Sequence, residues 1–125
     1  MSIRSIDVLS VPVSDPARSL EFYVDTLGFE LERDDQSVPG MRWVTVRPRG
    51  SRLKVTLVTW FETMPAGSLR GLVLASDNIA TEFRRLSDAG VEFVQSPVER
   101  PWGIEAVFRD PDGNELVLQQ SSPDA

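Results

Sequence analysis

The chain has 125 residues, with 13 Lys plus Arg against 19 Asp plus Glu, for a formal net charge of −6. That length suits one domain, and 41% hydrophobic residues are enough for one compact core without covalent staples. The sequence holds no Cys and no His, which excludes disulfides, thiolate metal sites, a Cys nucleophile and any site built on imidazole.

The acidic balance argues against a nucleic-acid partner, because binding phosphate needs a basic footprint, and it favours neutral or cationic partners. No apolar run approaches the roughly 18 residues that span a bilayer, and Met1-Ser2-Ile3-Arg4 lacks the apolar segment of a signal peptide. A cytoplasmic protein without a membrane partner is expected.

In chain order, Ile3–Val13 reads as a strand, rich in β-branched residues with Leu9, Val11 and Val13 alternating against Ser10 and Pro12. Asp15 before Pro16 is a helix N-cap followed by proline at the first helical position. Ala17, Leu20, Val24 and Leu27 form the stripe of that helix, with Phe22 and Tyr23 on its flanks, and Gly28 stops it. Strands follow at 29–33, 42–47 and 53–61, the last two joined by a hairpin at Pro48-Arg49-Gly50-Ser51.

The same order then repeats. A strand at 71–75, a cap at Asp77, a helix at 79–89 and a stop at Gly90 precede strands at 91–95, 104–109 and 115–119, with Asp110-Pro111-Asp112-Gly113-Asn114 as the last turn. Ser14-Asp15 and Gly28-Phe29-Glu30 recur as Ser76-Asp77 and Gly90-Val91-Glu92, both 62 residues on. The chain therefore reads as two tandem copies of a βαβββ unit, module one at 1–62 and module two at 63–125.

Val13-Ser14-Asp15 through Phe22-Tyr23 to Leu27-Gly28-Phe29, together with Asp110-Pro111-Asp112-Gly113-Asn114-Glu115-Leu116, resembles the vicinal oxygen chelate superfamily. Glyoxalases, bleomycin-resistance proteins, extradiol dioxygenases and fosfomycin-resistance enzymes belong to that group. The resemblance covers nearly the whole chain. It implies an α+β fold in which two βαβββ modules form a cup-shaped mixed sheet with helices on the outside, in a homodimer.

Fold alone does not supply an activity. In metal-dependent members, His and Glu project into the cup from the first and last strands of the modules. The resemblance puts these positions at Val8, Gly71 and Val117, with Lys54, Thr56 or Val58 facing the cup from the fourth strand. None is a His or a carboxylate, so no transition-metal site and no cofactor is expected. Glu105 and Glu115 are either oxygen donors for a hard cation or ligand, or solvated strand ends.

Trp43, Trp60, Phe61 and Trp102 lie on or beside strands rather than in helices. Flat side chains of low conformational entropy suit a ligand-covering role, and the alternative is packing in the core or at a dimer interface. Trp60 shares the parity of Thr56 and Val58, which aims it into the cup. Trp102, between Pro101 and Gly103, suits a pocket mouth. Arg42, Arg47, Arg49, Arg52 and Lys54 crowd one hairpin, either gripping an anion or keeping the hairpin from pairing with other chains.

The expected ligand-binding set is Ser10, Trp43, Thr56, Val58, Trp60, Trp102, Glu105 and Glu115. It suits a metal-free protein, similar to bleomycin-resistance proteins, that sequesters a small aromatic or cationic molecule. The second reading is a lyase or isomerase, similar to glyoxalase, acting on a small carbonyl compound without the usual metal site.

Overall fold

A computed structural model describes residues 2–122. The chain divides into two compact units after Ala66. The first holds β1 (Val8–Pro12), α1 (Pro16–Glu21) running into a π-helical turn (Phe22–Thr26), β2 (Glu30–Asp35), β3 (Trp43–Arg47) and β4 (Lys54–Val58). The second holds β5 (Leu72–Ala75), α2 (Ile79–Asp88), β6 (Phe93–Arg100), β7 (Gly103–Arg109) and β8 (Glu115–Ser121). Each unit is a four-stranded mixed sheet, ordered β1-β4-β3-β2 in one and β5-β8-β7-β6 in the other. The order βαβββ thus occurs twice, in an α+β fold, as the sequence implies.

The first and last strands of each unit run parallel, Ser10 beside Thr56 and Val73 beside Val117, while the remaining pairs are antiparallel. A parallel pair needs a crossover, and the helix supplies it. In unit one α1 packs on β3 and β4, over a face made by Val11, Val44, Val46, Val55 and Leu57, all buried together with Tyr23 and Phe29. In unit two the Phe83 ring of α2 meets Phe93 at 4.6 Å, and Phe93 meets Phe108 at 5.6 Å. Ile79, Leu86, Ala106, Leu116 and Leu118 complete that core.

Several local expectations are corrected. Only Val8–Pro12 of the 3–13 segment is strand, because β4 offers no partner before Lys54; Ile3 and Ile6 are exposed. β4 ends at Val58, which leaves Trp60 beyond the strand. β6 runs on to Arg100, through irregularities in its pairing with β7.

The helix starts differ as well. Asp15 caps α1 as expected, its carboxylate accepting from the amides of Ala17 and Arg18. In α2 the cap is Asn78, whose side-chain oxygen accepts from the Thr81 amide at 3.1 Å, so Asp77 lies one residue outside.

Thirteen positions separate the Asp15 cap from Gly28, but only twelve separate Asn78 from Gly90. The π-helical turn takes up the extra residue, closing with an i to i+5 bond from the Leu27 amide to the Phe22 carbonyl. Ser19 and Tyr23 are the fully buried residues, whereas the expected stripe of Leu20, Val24 and Leu27 is half-buried.

The Asp110–Asn114 turn is a structural device. The buried Asp110 carboxylate accepts from the amides of Asp112 and Asn114 and from Asn114 Nδ2, while Asn114 Oδ1 accepts from the Leu69 amide. This ties the segment entering β5 to the last hairpin. Gly67 sits at φ +85°, and a Cβ there would lie 2.2 Å from the Asp112 carbonyl oxygen.

Gly67→Ala should therefore cost about 2 kcal/mol or more, from backbone strain plus displacement of the turn, and lower the thermal midpoint by roughly 8 °C. Asn78→Ala should cost about 1 kcal/mol in denaturant unfolding, and Asp77→Ala less than about 0.5 kcal/mol. Equal losses at both positions would return the cap to Asp77.

Candidate ligand-binding face

Strand alternation puts Ser10, Thr45, Thr56, Val58 and Trp43 on the face of the first sheet opposite its apolar core side. Ser10 and Thr45 both stand in register with Thr56. Thr45 and Thr56 are buried, Ser10 half-buried. Val58 is also buried, and its carbonyl accepts from the Val13 amide at 2.8 Å.

The hydroxyls in this row differ in how they are satisfied. Thr45 Oγ1 donates to Glu32 Oε2 in a short hydrogen bond. That bond, with lesser help from Lys54, Arg47 and Arg33, holds the Glu32 carboxyl below its usual range against the opposing effect of burial. Thr56 Oγ1 is buried and has no hydrogen-bond partner. Leaving a buried hydroxyl unpaired costs about 1 to 3 kcal/mol.

At one end of the row stands an aromatic group. The Trp43 and Trp60 rings lie 6.4 Å apart and 24° from parallel, and Phe61 leans on Trp60 at 6.2 Å. Trp60 reaches Trp43 from the segment after β4, not by strand parity. Both indoles are half-buried and Phe61 is exposed.

An open cleft of about 290 Å³ lies nearby in the same unit, lined by Pro16, Val38, Pro39, Arg42 and Thr59 among others. Of these, the sequence points only to Arg42, as part of the basic hairpin. Arg42 is fixed there by Asp34, with Nε and Nη2 at 3.0 and 2.7 Å from the two carboxylate oxygens. The pair holds Asp34 below and Arg42 above their ordinary pKa values, chiefly through the hydrogen bonds they share. Non-local pairing of this kind has no signal in the sequence.

The basic hairpin is mostly paired. Arg47 bridges to Glu30 at 2.8 Å, and Lys54 lies 3.6 Å from Asp7 and 4.0 Å from Glu32. Arg49 and Arg52, at the exposed tip, have no ion pair among the described residues.

In the second unit, Trp102 is exposed, with its indole N–H 3.3 Å from Glu105 Oε2, and Arg100 binds the other Glu105 oxygen at 3.1 Å. Glu115 lies 3.6 Å from Arg109 and 3.7 Å from Arg70. The two glutamates therefore meet cations of their own unit.

The parallel pairs also locate the fourth of the metal-ligand positions that the resemblance implies. The Val13 amide bonds the Val58 carbonyl, and the Ser76 amide bonds the Gln119 carbonyl, which makes Thr56 the counterpart of Val117 and Val8 that of Gly71. Val8, Thr56, Gly71 and Val117 offer one neutral hydroxyl between them. That donor set does not fit a transition metal, which needs three or four deprotonated or imidazole ligands. Among the described residues, no group of three or more Asp or Glu side chains is arranged to hold one elsewhere.

Comparison with known proteins agrees with this architecture. TnmS3, an antibiotic-binding protein from Streptomyces sp. CB03234, is 45% identical, with a TM-score of 0.92 over 98% of this chain and 99% of that one. A glyoxalase/bleomycin resistance protein/dioxygenase superfamily member from Sphaerobacter thermophilus DSM 20745 is 36% identical, with a TM-score of 0.90 over 97% and 100%. An uncharacterized protein of Shewanella frigidimarina (strain NCIMB 400) is 33% identical over 94% of this chain and 93% of its own. The sequence profile of the glyoxalase/bleomycin resistance protein/dioxygenase superfamily matches residues 5–118, and the chain belongs to that superfamily.

Proposed function

We propose that this protein binds a small, flat aromatic molecule, with or without a cationic group, and holds it without metal-dependent chemistry. The observation that carries the reading is the near-parallel Trp43–Trp60 pair at the end of the Ser10, Thr45 and Thr56 row. Two half-buried indoles give a ligand a rigid apolar surface, and stacking on them is worth about 0.5 to 1.5 kcal/mol per ring beyond burial. Hydroxyls beside them supply orientation.

Support comes also from the antibiotic-binding function of TnmS3, 45% identical over nearly the full length. The acidic balance of −6 favours a cationic over an anionic ligand. Ser10, Thr56, Val58, Trp43 and Trp60 are the proposed contacts within the first unit; within the second unit, taken by itself, Trp102 and Glu105 are the residues proposed to meet a ligand. A homodimer working in the cytoplasm completes the proposal.

Titration with planar polycyclic aromatics should quench tryptophan fluorescence in a saturable way. Trp43→Ala and Trp60→Ala should each weaken binding about tenfold while leaving the fold's circular dichroism intact. A wild-type signal unmoved by any such compound would rule the proposal out. Sedimentation equilibrium at micromolar concentration should give about twice 13.9 kDa, and the monomer mass would remove the dimer.

A further inference from the structure

The two units of this chain serve as controls for each other. The hydrogen bonds that define Val13 as the counterpart of Ser76 and Val58 as that of Gln119 carry the correspondence across each sheet. Ser10 then corresponds to Val73, Thr56 to Val117 and Thr45 to Val107, and the pairings repeat: Ser10 beside Thr56 beside Thr45, Val73 beside Val117 beside Val107. One frame thus carries three hydroxyls in the first unit and three valines in the second.

Valine has nearly the shape of threonine and carries no polar group to desolvate. The second unit shows that the strand pairing is built without hydroxyls at these places. Thr56 nevertheless keeps one, fully buried and unpartnered, at a cost that its valine counterpart avoids. Its neighbour Thr45 has committed its proton to Glu32, so Thr45 does not need the Thr56 hydroxyl. Ser10, on the other side, has no side-chain hydrogen bond among the described residues. The Thr56 hydroxyl is thus buried without a partner, beside a half-buried Ser10 hydroxyl that no described side chain engages.

Trp43 lies two residues from Thr45 along β3, on the same face and roughly 7 Å away. A fused two- or three-ring plate spans that distance. We infer that the Ser10 and Thr56 hydroxyls form an acceptor-binding subsite, and that the ligand is a planar polycyclic aromatic carrying a carbonyl-type oxygen on its edge. The inference rests on the aromatic-ligand reading above and adds to it the edge chemistry that sets specificity.

Fluorenone and fluorene are both rigid and planar, and they differ only in a carbonyl against a methylene, so they separate the two ideas. Wild-type protein should bind fluorenone about fivefold or more tightly than fluorene, the worth of one neutral hydrogen bond. Thr56→Val should bind the two about equally, and should melt no lower than wild type because an orphaned hydroxyl has gone. Ser10→Ala should reduce the fluorenone preference without abolishing fluorene binding.

Binding of both compounds without preference, or a preference that survives Thr56→Val, would overturn the subsite and leave the aromatic reading standing. Failure of both compounds to bind wild type would overturn both. A melting point several degrees lower in Thr56→Val would also overturn the subsite, since it would show that the hydroxyl has a partner within the fold.

Discussion

Everything in this molecule follows from the parallel pairing of the first strand of each unit with the last. Parallel neighbours cannot be joined by a tight turn, so the chain must leave the sheet, cross over it as a helix and return. That helix covers one face, and strand alternation then assigns every second residue of β1, β3 and β4 to the other. Val11, Val55 and Leu57 go under the helix, and Ser10, Thr45 and Thr56 do not. Which residues can meet a ligand is thus decided before any ligand chemistry enters.

Duplication separates the requirements of the frame from those of the site. The pairings and the helix-side cores are shared by both units, whereas the rows on the opposite face are not: Ser10, Thr45 and Thr56 stand where the other unit has Val73, Val107 and Val117. Val8, Thr56, Gly71 and Val117, the metal-ligand positions that the resemblance implies, offer one neutral hydroxyl between them. That donor set does not fit a transition metal, so an activity has to be argued from this chain's own side chains rather than from the fold.

Much of this was legible in the sequence because the signals were local. Asp15-Pro16 declares a helix start, Gly28 and Gly90 mark two stops, and the Asp110–Asn114 run is a turn whatever its surroundings. Reading failed where one residue's choice depended on something distant. Asp77 and Asn78 are equally good caps, and only the path from β5 into α2 selects the second. Parity extended to Trp60 assumes a strand that ends at Val58, and the Trp60 ring meets Trp43 from the segment beyond it. The Arg42–Asp34 fork and the Thr45–Glu32 bond join β2 to β3 across a loop, and no pattern of charge or spacing announces them. The row of hydroxyls was visible as separate letters, but its buried unpartnered member, Thr56, could be singled out only in the folded chain.

The π-helical turn at Phe22–Thr26 bears on how such a duplicated chain tolerates change in length. An added residue in an ordinary helix would rotate everything after it by about 100° and send the wrong side chains into the core. Here a widened turn swallows it before Gly28, and β2, β3 and β4 enter the sheet as their counterparts do in the other unit. The two halves can therefore differ by insertion as well as by substitution, each keeping its strands in phase while the face away from its helix carries side chains of its own.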